Sequence, residues 1–300
     1  MLLTASLMVI GCSKNDGDSS QPAPQEDLEI RFNPDVWHVL EGSRATTYDD
    51  QAAIQEEGSF ICSAYNTGTT TVNTTSNVNG ITATWNGSTA WEFAEKHYWP
   101  LTDALDFFAY MPASPDDYIT EVVYAVDGDD APAPYFTCDM TETVDKEFIW
   151  ALATEQDREH QGASGVTMTF EHPFARIYFK LSDDSGTAVT VNSITISGSD
   201  FYKTGTCTFD GTTSDWSSLG GAGFLGTLAL NTPYLVIPSD YGSSKTITVN
   251  ATWDEWSSFT TDVTSSALSI NWQAGYSYTY TLYLTKYALK VDVDKYTEQW

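Results

Sequence analysis

Side chains able to do acid–base or nucleophilic chemistry are few and scattered in this sequence. The four histidines, His38, His97, His160 and His172, lie far apart along the chain. No H-E-x-x-H, P-loop, G-x-G-x-x-G or G-x-S-x-G string occurs. The spacings needed for zinc hydrolysis, phosphate cradling, dinucleotide binding or a nucleophile elbow are therefore missing. His172 stands beside Pro173 inside an apolar stretch, where a structural role outweighs a ligand role. With 41 acidic residues, carboxylate pairs are too common for a glycosidase pair to stand out. Asp127-Gly128-Asp129-Asp130 offers oxygens of the kind calcium takes, but without a regular loop spacing it reads as a solvated turn. We expect no catalytic residue, no metal site and no cofactor. The cysteines are Cys12, Cys62, Cys138 and Cys207, with no C-x-x-C pair. Setting Cys12 aside, Cys62 and Cys138 could pair, or all three could remain thiols. Tryptophans are the other candidates. Trp253 and Trp256 flank Asp254-Glu255 in a predicted turn, and exposed in one plane with Trp91 they would offer sugars a stacking surface. Core or hairpin packing is the commoner use of such residues.

The elements that would position these residues read as strands. Aromatics make up 14% of the 300 residues and charged residues 18%, which is the balance of a packed chain and not of a disordered one. Thr, Ser, Val and Tyr are abundant and long helical periods are missing, so the chain leans all-β. The formal charge of −28 repels phosphates and argues against a nucleic-acid partner. Residues 2–10 form an apolar run too short to span a bilayer and read as the end of a secretory signal. Residues 13–27 hold Ser, Asp, Asn, Gln and Pro without apolar periodicity, as a tether does. Residues 28–32 alternate, residues 36–40 are a second short apolar run, and both read as strand. A polar loop containing Arg44 follows. Strands are predicted over residues 60–65, 81–85, 105–110, 121–126 and 147–152, with Thr/Asn/Gly turns between them. Gln161-Gly162-Ala163-Ser164-Gly165 marks a boundary, and short strands at regular spacing resume after it.

Residues 166–181 organise the rest. Val166, Met168 and Phe170 alternate with Thr167 and Thr169; after Pro173, Ile177, Phe179 and Leu181 alternate in the other phase. A slip of one residue would send every apolar side chain to the wrong face, so His172-Pro173 must absorb it. The expectation is one long kinked strand opening a second β-domain, with Phe170, Ile177 and Phe179 all buried there. The string F-E-H-P-F-A-R-I-Y-F-K-L resembles the central strand of the fimbrillin-like lipoproteins of Bacteroidetes. Tyr98-Trp99-Pro100, residues 105–112 and the closing residues 276–300 resemble the same family.

That resemblance implies two tandem β-sandwich domains of transthyretin-like, Greek-key type, placed at residues 28–162 and 163–300. Val9-Ile10-Gly11-Cys12 resembles a lipobox, which implies a signal over residues 1–12 and acylation of Cys12. Lys14-Asn15-Asp16-Gly17-Asp18 is similar to the acidic signal that sends such lipoproteins to the cell surface. The family implies a fimbrial subunit or adhesin at the outer membrane, with other pilin subunits as partners and a surface glycan or protein as adhesion ligand. It also implies assembly in place of catalysis. A trypsin-like protease cuts after an arginine such as Arg44 and frees the first strand, and a strand from another subunit then completes the sheet. Leu289, Val291 and Val293 are the candidate donor positions, although the same residues could close the second domain. The rival expectation is a monomeric glycan-binding lipoprotein using Trp91, Trp253 and Trp256.

Overall fold

The computed structural model describes residues 29–36, 50–69, 71–123, 134–141, 144, 146–159, 165–185, 189–198, 201–209, 213–221, 226–254 and 259–299. It is all-β apart from short helical pieces, as the alternation predicts. The strands up to the boundary are β1 (Phe32–Val36), β2 (Ser59–Asn66), β3 (Ile81–Trp85), β4 (Trp91–Phe93), β5 (Leu105–Met111), β6 (Ile119–Val123), β7 (Tyr135–Asp139) and β8 (Ile149–Gln156). A helix α1 (Gln51–Glu57) precedes β2. After the boundary come β9 (Val166–Phe170), β10 (Ala175–Leu181), β11 (Val189–Ser197), β12 (Thr204–Phe209), β13 (Ser214–Gly220) and β14 (Pro233–Val236). The long strand β15 (Ser239–Trp253) follows, then β16 (Phe259–Thr264), β17 (Leu268–Trp272), β18 (Tyr276–Leu284) and β19 (Leu289–Gln299).

The largest sheet has the order β8-β5-β2-β3-β4-β1-β9. Its two outer strands meet again: Glu171, just past β9, exchanges backbone hydrogen bonds with Trp150 of β8 at 2.8 and 3.2 Å. The sheet therefore curls round and closes on itself, which leaves few unpaired edge groups. Alternate residues point into the closure, among them Phe60, Cys62 and Ala64 of β2, Phe107 and Ala109 of β5, and Ile149 and Ala151 of β8. The intervening residues Tyr65, Phe108 and Trp150 face outward into a second apolar layer. That layer is covered by a sheet of order β13-β12-β7-β6. Where the large sheet runs through β2, β5 and β8 both of its faces are thus buried, which explains why β2 is buried at four successive positions, Cys62 to Tyr65.

The remaining strands form a sandwich. One sheet is β14-β10-β18-β19; the other is β11-β15-β16, with β17 also paired to β15. Ile177, Phe179, Tyr280 and Leu282 from the first pack against Ile194, Ile196, Val249 and Ala251 from the second.

Two expectations about the centre of the chain are corrected. Residues 166–181 are not one kinked strand in one sheet. β9 runs beside β1 in the large sheet, with Phe170 in its core, whereas β10 enters the sandwich with Ile177 and Phe179. The change of apolar phase at His172-Pro173 is thus a change of sheet. Proline has no N–H to continue a ladder, and the Pro173 carbonyl instead accepts the Trp216 indole N–H at 2.9 Å. The expected division at residues 162 and 163 also fails to follow the pairing. β9 belongs to the sheet built before it, and β12 pairs with β7 from Thr204↔Asp139 to Thr208↔Tyr135.

Candidate assembly site

The feature with a possible function beyond packing is the seat of β1. Its backbone runs parallel to β9 in continuous register from Phe32↔Val166 to Val36↔Phe170. On its other side it meets β4 at Phe32↔Trp91, antiparallel. Just upstream, the Ile30 N–H donates to the His97 carbonyl at 2.8 Å, and Glu29 bridges to Tyr98. Ile30, Phe32 and Pro34 are buried while Arg31 and Asn33 are exposed, which is the alternation of a strand with one face in a core. Phe32 meets the rings of Phe60, Phe93 and Phe107 edge-on, with centroids 5.7, 5.4 and 5.5 Å away. The Glu29 carboxylate accepts from Lys96 at 3.1 Å on the surface.

Gly165 sets how closely β1 and β9 approach. Its φ is +88°, and a Cβ there would lie 2.6 Å from the Arg31 carbonyl carbon and oxygen and 2.8 Å from the Phe32 nitrogen. The bare glycine lets the Val166 N–H donate to the Arg31 carbonyl at 2.7 Å. The next described residue after β1 is Asp50. Its carboxylate caps α1 by accepting the Ala53 N–H at 2.8 Å, and Ile54 is buried beneath.

The residues singled out from sequence fall as follows. Cys12, Arg44, Trp256 and the Asp127–Asp130 turn lie outside the described residues. Leu289, Val291 and Val293 lie on β19, an outer strand of the sandwich that pairs antiparallel with β18 from Tyr276↔Gln299 to Leu284↔Leu289. Leu289 is buried, Val291 half-buried and Val293 42% exposed. Trp91 and Trp253 are each only 4% exposed and belong to different cores. The rival sugar-stacking reading is therefore corrected for these two, which take the commoner core role: Trp91 packs on Phe60 beside β1, Trp253 lies in the sandwich core, and neither face is open to a ligand.

Among the described residues, the His172–Glu147 pair and three cysteines are equally enclosed. His172 Nδ1 lies 2.8 Å from Glu147 Oε1, with the two side chains 1% and 0% exposed. The pair ties the turn after β9 to the start of β8. Cys62, Cys138 and Cys207 are buried free thiols. Burial pushes the Cys138 thiol up to about 12, and those of Cys62 and Cys207 higher still. Sequence reasoning missed Gly165 and the ring pocket of Phe32. Gly165 read only as part of a boundary, and nothing local signals that another backbone passes within contact of it.

The chain belongs to the fimbrillin-like family, whose model matches residues 43–300. The match begins after β1. Among solved structures, the chain is similar to a fimbrial protein from Bacteroides vulgatus ATCC 8482. The identity is 16% and the TM-score 0.58, over 91% of this chain and 99% of that one. It is also similar to two proteins provisionally assigned to cell adhesion. One, from Bacteroides uniformis ATCC 8492, is 18% identical with a TM-score of 0.55, over 89% and 98% of the chains. The other, from Bacteroides ovatus ATCC 8483, is 14% identical with a TM-score of 0.53, over 91% and 97%. At these identities the likeness is one of fold. None of the curated proteins compared matches the chain.

Proposed function

We propose that the protein is a cell-surface fimbrial subunit or adhesin, held at the outer membrane through an acylated Cys12, that joins other pilin subunits by strand exchange. Cleavage after Arg44 leaves β1 attached by non-covalent contacts alone, and a strand from another subunit takes its seat. The observation that carries this reading is the position of β1. It lies within the sheet order between β4 and β9, not at an outer edge, and it precedes the stretch matched by the family model. Its withdrawal would uncover the ladder groups of β9 and the single β4 pairing at Trp91, and an incoming strand would regain them.

β19 supports an acceptor role for this chain better than a donor role, because it pairs with β18 in its own sandwich. The test is limited trypsin digestion of the folded full-length chain, then mixing with a subunit or peptide bearing a donor strand. We expect a single early cut after Arg44, loss of the first segment only when donor is present, and a stable complex on gel filtration. Resistance at Arg44, or a cut chain that neither binds a donor nor oligomerises, refutes the mechanism.

A further inference from the structure

Resting on the strand-exchange reading, we infer that the seat of β1 selects its incoming strand by a single aromatic side chain at the Phe32 position. The partner is then a strand of different sequence, and not β19 of a second copy of this chain. The pocket is built for a ring. Phe60, Phe93 and Phe107 each stand nearly perpendicular to Phe32, at 84°, 87° and 86°, and Phe32 itself is 5% exposed. Its walls are braced from behind: Phe60 also packs on Trp91 at 5.1 Å and on Phe170 at 5.7 Å. A pocket so held does not collapse when the ring is withdrawn, so a smaller side chain leaves a void. Two residues to either side, the seats of Ile30 and Pro34 are buried, while Arg31 and Asn33 point to solvent. The slot therefore asks for apolar, aromatic and apolar residues at alternate positions.

β19 fails that pattern in every register. Leu289, Val291 and Val293 alternate correctly but put valine where the ring belongs. Moving Tyr296 into the pocket puts Asp294 and Glu298 into the two apolar seats, in either strand direction, and burying two carboxylates is prohibitive. Moving Trp300 there still buries Glu298.

The experiment uses the full chain with a specific protease site substituted at residues 43–46, cleaved after folding. A fluorescent peptide of residues 28–40 is offered first, and its incorporation is read by gel filtration. Failure of this peptide to enter overturns the strand-exchange reading, and this inference with it. Once it enters, unlabelled peptides compete against it. The Phe32→Val peptide is expected to compete roughly 100-fold less well, from lost apolar area together with lost ring contacts. The peptide of residues 288–300 is expected to be comparably weak, and its Val291→Phe variant to recover at least about tenfold. A Phe32→Val loss below about tenfold, a native 288–300 peptide within tenfold of residues 28–40, or no gain from Val291→Phe overturns the aromatic rule while leaving strand exchange intact.

Discussion

Replacing Gly165 by alanine tests whether β1 is held by the close approach at the start of β9. The new Cβ would sit 2.6 Å from the Arg31 carbonyl, against the 3.4 Å where ordinary contact begins. β1 must therefore retreat by the difference, 0.8 Å. That stretches the 2.7 Å hydrogen bond from Val166 to about 3.5 Å, the outer limit of a hydrogen bond, and forfeits roughly 0.5–1.5 kcal/mol. Lifting Phe32 part-way from its ring pocket adds roughly 0.5–1.5 kcal/mol. The positive φ adds roughly 1–2 kcal/mol for any residue with a Cβ. Gly87 supplies the control: its φ is +79°, but a Cβ there meets nothing within 4 Å. Gly87→Ala carries the conformational cost alone. The difference between the two variants, roughly 1–3 kcal/mol, corresponds to a factor of roughly 5 to 150 in the opening of β1. Hydrogen exchange followed by mass spectrometry reads this directly. Residues 30–36 exchange faster by that factor in Gly165→Ala than in Gly87→Ala, whereas residues 175–181 of β10 exchange alike in both. Equal protection of residues 30–36 in the two variants, or a uniform loss across both regions, refutes the argument that Gly165 seats β1.

The buried thiols make a second prediction. Cys62, Cys138 and Cys207 are all raised from the ordinary value of 9.0 by burial, so folding favours the protonated form. Their contribution is complete below about pH 9 and is lost as pH rises from there towards the folded values, each thiol costing up to roughly 1.4 kcal/mol per pH unit. The urea midpoint should hold from pH 7 to 8.5 and fall above 9, and native protein at pH 8 should resist iodoacetamide that labels the unfolded chain. Labelling of all three thiols in the native state would count against their burial. The third prediction concerns the anchor. Cys12→Ala abolishes acylation and moves the full-length protein from the detergent to the aqueous phase, and a variant still in the detergent phase rules out Cys12 as the lipid site.

What was legible in the sequence was which residues point inward. Val166, Met168 and Phe170, and then Ile177 and Phe179, are buried as their alternation requires. What was not legible was inward to which core. Period two reports that a strand has a dry face, and the same signal is produced by a closed sheet and by a sandwich. The phase change at His172-Pro173 was visible, but a bulge within one sheet and a passage between two sheets leave the same trace in the sequence. The return of β12 to β7 was invisible for a related reason. Its register spans Cys138↔Gly205, a pairing between distant segments that no local turn signal announces. Trp253 shows the converse limit. A tryptophan beside Asp254-Glu255 in a predicted turn reads as exposed, yet it sits among side chains contributed by remote strands.

The candidate site was half legible on the same grounds. Residues 28–32 announce a strand, and Ile30 and Phe32 are buried as that pattern demands. Its place between β4 and β9 depends on a parallel neighbour more than a hundred residues on, and that place decides what removal would do. An edge strand can leave a sheet whole. Withdrawing β1 from between β4 and β9 would uncover the ladder groups of β9, open the face of Trp91 and empty the Phe32 pocket in one step. Such a surface is a template for non-specific strand pairing and aggregation. A cut in the segment after β1 would therefore not by itself favour departure of the strand, because the contacts described for β1, to β4, β9 and the ring pocket, do not depend on the severed bond. Departure becomes favourable only when another strand refills the same ladder and the same ring pocket. On that physics, in the mechanism proposed above, the cut would supply permission and the incoming strand the driving force, so a nicked subunit would stay closed until its partner arrived.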